Sequence, residues 1–178
     1  RVHAITTARR MEISKSIDNV RADQPEWKPI GPYSTAGRVK DIIVHPTDAN
    51  TVYIGAAAGG VWKTTNAGAT WEPLTDDANA TAMGSLWFHP NNPDIIYAGT
   101  GESVTNANTF LGAVVLRSTD AGQTWTSIGL THVGSVSRIY SHPRNPKLRM
   151  AGCMNTNAGV YKSTDEGETW TKILNESV

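Results

Sequence analysis

One eight-residue phrase occurs three times in this chain. Thr64-Thr65-Asn66-Ala67-Gly68-Ala69-Thr70-Trp71 is matched by Ser118-Thr119-Asp120-Ala121-Gly122-Gln123-Thr124-Trp125, and again by Ser163-Thr164-Asp165-Glu166-Gly167-Glu168-Thr169-Trp170. The shared pattern is Ser or Thr, any residue, Asp or Asn, any residue, Gly, any residue, Thr, Trp. A His-Pro dipeptide precedes each copy, at His45, His89 and His142. After each dipeptide comes a short stretch ending in glycine: Val52-Tyr53-Ile54-Gly55, Ile96-Tyr97-Ala98-Gly99 and Arg149-Met150-Ala151-Gly152. Trp27-Lys28-Pro29-Ile30 reads as a fourth post-phrase strand without its phrase. The tryptophans at 27, 71, 125 and 170 are therefore 44, 54 and 45 residues apart.

A period near 45 residues, made of short strands and turns, predicts an all-β fold of four-stranded antiparallel propeller blades. Inner strands are expected near 38–44, 82–88 and 135–141, each ended by the proline after His, which lacks the ladder N–H. Second strands follow near 51–56, 95–100 and 148–153, and third strands near 60–65, 112–118 and 159–163. Outer strands start at each Thr-Trp. The organisation is a leader over 1–26, then blades over about 27–76, 77–130 and 131–178. In the leader, Ile13, Ile17 and Val20 recur at helical spacing with Thr7 as N-cap, which fits one short amphipathic helix, with a floppy leader as the alternative.

Each repeated phrase has the chemistry of a hairpin turn. Asp120 and Asp165 can accept backbone N–H bonds within the turn, and Asn66 can do so without charge. Gly68, Gly122 and Gly167 supply a positive φ. Trp71, Trp125 and Trp170 fold over the hairpins as apolar plugs. Because the set recurs once per blade, it is read as structural rather than catalytic or calcium-binding. The same logic removes His45, His89 and His142 from any single metal site, so no metal and no cofactor is expected. His3 and His132 are isolated.

Composition narrows the partners. The 178 residues carry 16 Lys+Arg and 16 Asp+Glu. That balance argues against nucleic acid, which needs a clustered basic excess. No apolar run approaches the roughly 18 residues of a membrane span. The single cysteine, Cys153, reads as a small buried hydrophobe. Nothing in Arg1–Asn19 resembles a signal peptide. Asn79-Ala80-Thr81 and Asn175-Glu176-Ser177 match glycosylation sequons.

The three phrases resemble Asp-boxes, also called bacterial neuraminidase repeats. The surrounding wording, Gly37-Arg38-Val39, His45-Pro46, Tyr53-Ile54-Gly55 and Gly59-Gly60-Val61-Trp62-Lys63, is similar to the sortilin-like and xyloglucanase-like group of Asp-box propellers, over about Trp27–Leu174. That group includes glycosidases, sorting receptors and photosystem assembly factors. The resemblance implies a secreted or cell-surface bacterial protein, with a periplasmic location also open. It also implies that ligands bind at the face formed by the second-to-third-strand turns and the blade-to-blade links, opposite the His-Pro turns and the boxes.

Glycoside hydrolysis normally uses two carboxylates flanking the scissile bond. The xyloglucanase resemblance would put one catalytic Asp in the first blade, in the stretch that reads Ala56-Ala57-Ala58-Gly59-Gly60 here. Ala57 stands at that position, and alanine can neither donate nor accept a proton. The sialidase arginine triad is not completed either, since only Arg38 and Arg138 lie in inner strands. No catalytic residue is therefore assigned. The candidate ligand-binding residues are Arg38, at the start of an inner strand, and Glu102, Asn106, Asn108 and Phe110, from the long blade-two loop Gly101–Phe110 on the open face.

The expectation is a non-catalytic binding or scaffolding module with a protein or glycan ligand. Further blades are expected from the same precursor or from other chains, because propellers need about 4–8 blades. The alternatives are a fragment of a xyloglucanase-like glycosidase whose carboxylates lie elsewhere, and a membrane-complex assembly factor.

Overall fold

The computed structural model describes residues 37–78, 80–102, 112 and 114–175. The expected leader helix, the strand at Trp27 and the loop residues Asn106, Asn108 and Phe110 lie outside the described residues.

The described residues form twelve strands and no helix. They make three four-stranded antiparallel sheets, each in sequence order. Blade 1 contains β1 (Val39–His45), β2 (Asp48–Ala56), β3 (Gly60–Thr64) and β4 (Glu72–Pro73). Blade 2 contains β5 (Met83–His89), β6 (Asn92–Thr100), β7 (Val115–Ser118) and β8 (Thr126–Ser127). Blade 3 contains β9 (Ser135–His142), β10 (Asn145–Met154), β11 (Gly159–Ser163) and β12 (Thr171–Asn175). Each inner strand ends at its His-Pro. The His ring seals the turn, with Nδ1 accepting N–H bonds from Thr47, Asn91 and Arg144 respectively. The outer strands begin one residue after the box Trp.

Register gives each blade two distinct faces. Leu86 pairs with Ala98 and Ile139 with Ala151; these side chains face the preceding blade and form the leading face, and Ile42 pairs with Ile54 at the same register in blade 1. One residue out of phase, Ile43 pairs with Tyr53 and Trp87 with Tyr97, forming the trailing face; Tyr140 pairs with Met150 at the same register, but its ring lies against Trp87 of blade 2, centroids 5.1 Å apart. All three inner pairs shift register at the same place, just before Asp41, Ser85 and Arg138. Such a bulge adds local twist to the strand, and nothing in the sequence pattern announces it.

The core lies between blades rather than within them. Tyr53 and Val61 of blade 1 meet Met83, Leu86, Ile96, Ala98 and Leu116 of blade 2. Tyr97, Val115, Ile128 and Leu130 of blade 2 meet Val136, Ile139, Ala151, Cys153 and Tyr161 of blade 3. A fully buried side chain of this size contributes roughly 1.5–3 kcal/mol, whereas a turn hydrogen bond nets about 0.5–1.5. Inter-blade packing therefore outweighs the hairpins in holding the array together. In blades 1 and 2 the glycine one residue before the end of the second strand allows this contact. A Cβ at Gly55 would sit 3.2 Å from Met83 Cβ, and one at Gly99 would sit 2.7 Å from the Val136 carbonyl oxygen.

The Asp-boxes are the turns between third and outer strands. Ser118 donates its hydroxyl to Asp120 at 2.7 Å and accepts the Gly122 N–H at 2.8 Å. Asp120 accepts the Thr124 N–H at 2.8 Å and its hydroxyl at 2.6 Å. Ser163, Asp165, Gly167 and Thr169 repeat this network. In blade 1, Asn66 accepts the Thr70 N–H through its carbonyl and donates its amide to the Thr70 hydroxyl. The box glycines have φ of 87°, 93° and 95°, and the residues before them, Ala67, Ala121 and Glu166, are also left-handed. A non-glycine residue there carries a steric cost that the sequence did not reveal. Of the box tryptophans, Trp170 donates Nε1–H to the Gly167 carbonyl at 2.8 Å, while the buried Nε1 atoms of Trp71 and Trp125 have no partner among the described residues.

Candidate functional site

Two faces of the blade array differ in construction. On one, the boxes bond back to the first hairpins: Ala67 to Asn50, Ala121 to Asp94 and Glu166 to Lys147. On the other, the second-to-third-strand turns bond to chain entering the inner strands. Ala57 N–H donates to the Arg38 carbonyl at 2.8 Å, Gly60 to Thr81 at 2.7 Å and Gly101 to Ala82 at 2.8 Å. Of the candidate residues, Arg38 and Glu102 lie on this second, open face.

Arg38 and Glu102, 64 residues apart, meet there. Arg38 donates Nε to one carboxylate oxygen of Glu102 at 2.8 Å and Nη2 to the other at 2.6 Å. Lys40 Nζ stands 3.9 Å from the same carboxylate. Glu102 is 0% exposed, while the Arg38 side chain is half open to solvent. A bidentate fork of this kind fixes orientation as well as charge. The hydrogen bond and then the negative charge of Glu102 hold the Arg38 guanidinium above its ordinary pKa, so Arg38 is a permanent cation facing the open side.

Asp41 is the residue that sequence reasoning missed. Through Oδ2 it accepts the Leu86 N–H of blade 2 at 2.9 Å, and Arg138 of blade 3 lies 3.5 Å from the same oxygen. One carboxylate thus links the inner strands of all three blades. Its only sequence signal was a charged residue inside the apolar run Val39-Lys40-Asp41-Ile42-Ile43-Val44.

The structure brings Arg38, Lys40, Glu102, Asp41 and Arg138 into one charged band along the inner strands. It does not supply an acid–base pair there: Glu102 is enclosed with both oxygens engaged, and Asp41 is tied to backbone and Arg138. Ala57 is buried with its N–H committed to Arg38. No group of three or more His, Cys, Asp or Glu among the described residues could hold a metal. A separate groove of about 450 Å³ lies at the outer rim between blades 1 and 2, lined by Glu72, Asp76, Asp77, Gln123, Thr124 and Trp125 among others.

The comparisons with known proteins agree with this architecture. The BNR/Asp-box repeat family model matches residues 161–172. The chain is 31% identical over 109 residues to a xyloglucanase of Paenibacillus sp., covering 58% of this chain and 10% of that protein. It is 30% identical over 129 residues to a xyloglucanase of Hypocrea jecorina, covering 71% of this chain and 13% of that protein. Among solved structures, the GH74 xyloglucanase from Xanthomonas campestris superposes with a TM-score of 0.59 at 23% identity, over 83% of this chain and 22% of that one. YCF48 from Cyanidioschyzon merolae gives 0.58 at 20% identity, over 86% and 45%. At such identities these two show the fold alone. The repeats are Asp-boxes and the sheets are propeller blades, similar to those of xyloglucanases. The chain spans about a tenth of the length of the curated relatives it matches. No helix among the described residues is long and apolar enough to cross a membrane.

Proposed function

We propose that this chain is a segment of a glucan-directed Asp-box propeller protein of the xyloglucanase type, acting at the cell surface or outside the cell. Its described blades supply the rigid scaffold and one charged wall of the open face, and any catalytic carboxylates lie elsewhere in a longer protein. The observation that carries this reading is the Arg38–Glu102 fork. It holds a solvent-facing guanidinium, able to donate to sugar hydroxyls, on the open face where a ligand is expected. It also occupies the nearest carboxylate, and hydrolysis needs two free ones. The xyloglucanase relatives favour a glycan over a protein ligand. The alternative of a membrane-complex assembly factor gains only a shared fold.

The test is affinity electrophoresis of the chain in gels containing xyloglucan, together with reducing-sugar release. Retardation that weakens several-fold in Arg38→Ala, without sugar release, is expected. Migration unchanged by xyloglucan would overturn the glucan reading. Sugar release by the 178-residue chain at rates ordinary for glycosidases would overturn the scaffold reading. An Ala57→Asp variant restores a carboxylate but not a pair, and is expected to remain inactive.

A further inference from the structure

The two inter-blade interfaces differ at the outer rim. At each, the link that leaves one blade's outer strand passes the Asp-box of the next blade. Between blades 2 and 3 this place is closed. Leu130 of the link is 2% exposed, and a Cβ on its neighbour Gly129 would lie 3.1 Å from Trp170 Cδ1. Trp170 donates Nε1–H to the Gly167 carbonyl, and Glu168 is held by Arg117 at 2.7 Å.

Between blades 1 and 2 the tryptophan stays and its neighbours change. Asp76 takes the place of Leu130, Thr75 that of Gly129, Gln123 that of Glu168 and Lys63 that of Arg117. Thr75 turns its hydroxyl inward and accepts the Val61 N–H at 2.9 Å. Lys63 Nζ is directed at the Ala121 carbonyl, 3.5 Å away. Here lies the rim groove of about 450 Å³, with both walls, link and box, in this chain. Its polar lining is unengaged. The carboxylates of Glu72, Asp76 and Asp77 and the amide of Gln123 are exposed, without a side-chain hydrogen bond or ion pair among the described residues. Trp125, half-buried in the wall, leaves Nε1 without a partner there.

The lining selects the ligand. The volume falls within the roughly 300–1,000 Å³ of small-molecule sites. Three carboxylates and no cation line the groove, which disfavours an anionic ligand. No three acids among the described residues converge on a metal position. An organic cation could donate to the carboxylates but could not accept from the Gln123 amide. A hydroxyl does both, and a sugar ring sets hydroxyls around an apolar face that an indole can cover.

We propose that this rim groove is a second glycan-binding site, taking a short stretch of a neutral glycan, apart from the open face that carries the Arg38–Glu102 fork. The inference rests on the glucan reading of the chain and extends it, since a polymer engaged at two points is retained better than at one.

The test is electrophoresis of the 178-residue chain in gels containing xyloglucan. Asp76→Leu installs the blade 2 residue and closes the groove. Asp77→Ala with Gln123→Ala removes two polar partners without filling it, and carries the test if Asp76→Leu does not fold. Arg38→Ala leaves the groove intact. Circular dichroism and melting confirm that each is folded. Retardation should weaken several-fold in each groove variant and vanish when Asp76→Leu is combined with Arg38→Ala. Groove variants retarded as strongly as the unmodified chain, with Arg38→Ala weakened, would overturn the groove site and leave the glucan reading standing. An unmodified chain that xyloglucan does not retard would overturn both. A trilysine peptide bound by the unmodified chain but not by Asp76→Leu, with xyloglucan retardation unaffected, would assign the groove to a cation instead.

Discussion

The guanidinium of Arg149 lies on the ring of Tyr97. Its Cζ is 3.9 Å from the ring centroid, and Nη2 donates to the Tyr97 hydroxyl at 2.6 Å. Arg149 is fully buried between blades 2 and 3, with Nη1 donating to Ser141 Oγ and Nε without a partner among the described residues. No carboxylate among the described residues forms an ion pair with it. Burial pulls its pKa down, against the charges of Tyr97 and Glu166. A buried cation held by two hydroxyls and a π face is costly, yet removing it alone strands those hydroxyls.

Arg149→Ala should therefore destabilise the chain by about 3 kcal/mol or more, as cavity and unsatisfied-group costs add. The double change Arg149→Met with Tyr97→Phe removes the charge and the tyrosine hydroxyl together and should stay within about 1–2 kcal/mol of the unmodified chain, because neutral packing replaces a desolvated ion. Urea unfolding measures both. A double variant as unstable as Arg149→Ala would show that the charge itself stabilises the interface.

Asp120 sets the acid behaviour of its turn. The Thr124 hydroxyl and amide, with the Ser118 hydroxyl, lower its carboxyl to about 2. A depressed folded-state value means stability that is present above the unfolded value of about 3.9 and is lost as pH falls through the folded one. Asp165 is shifted the same way, by Thr169 and Ser163. Melting temperature should thus fall between about pH 4 and pH 2. Asp120→Ala should cost about 1 kcal/mol at neutral pH, since the exposed carboxylate makes ordinary turn bonds. Asp120→Asn should cost less, because Asn66 already performs this role in blade 1, and paired with Asp165→Asn it should flatten the acid limb of the melting curve. An unchanged acid limb would place the titration elsewhere.

The blade period was legible because it rests on chemistry repeated once per turn: His-Pro, a glycine-ended strand, and a polar loop closed by Trp. The second-strand glycines were visible without their reason, which is the close approach of the next blade. Arg149 was hidden because its position holds Val52 and Ile96 in the other blades, so the repeat predicts an apolar residue there. Arg38 and Glu102 were both singled out as ligand-binding, but a contact across 64 residues leaves no local trace. Their fork emerges only once the blades are packed. Asp41 escaped notice for the same reason, its partners being a backbone amide of blade 2 and a side chain of blade 3.

Cys153 reports on the same interface that Arg149 crosses. It is 3% exposed within the blade 2–blade 3 core, and burial pushes its thiol up to about 12, opposed by Lys172. Only the thiolate attacks a disulfide reagent. At pH 8 the buried thiol is ionised to about 10⁻⁴, against about a quarter for an ordinary thiol, so labelling should run about 10³-fold slower in the folded chain even before access is counted. Reaction then proceeds through opening of the interface, at a rate set by the population of the open form. Labelling with an aromatic disulfide reagent should accordingly be near zero in buffer and rise with sub-denaturing urea. It should also quicken in Arg149→Ala in proportion to that variant's lost stability. The Asp120→Ala variant, whose defect lies in an exposed turn, should move it far less. Native labelling within tenfold of the unfolded rate would mean that blades 2 and 3 are not held together as their packing implies. Equal acceleration by Asp120→Ala and Arg149→Ala would show that the thiol reports global unfolding rather than the interface.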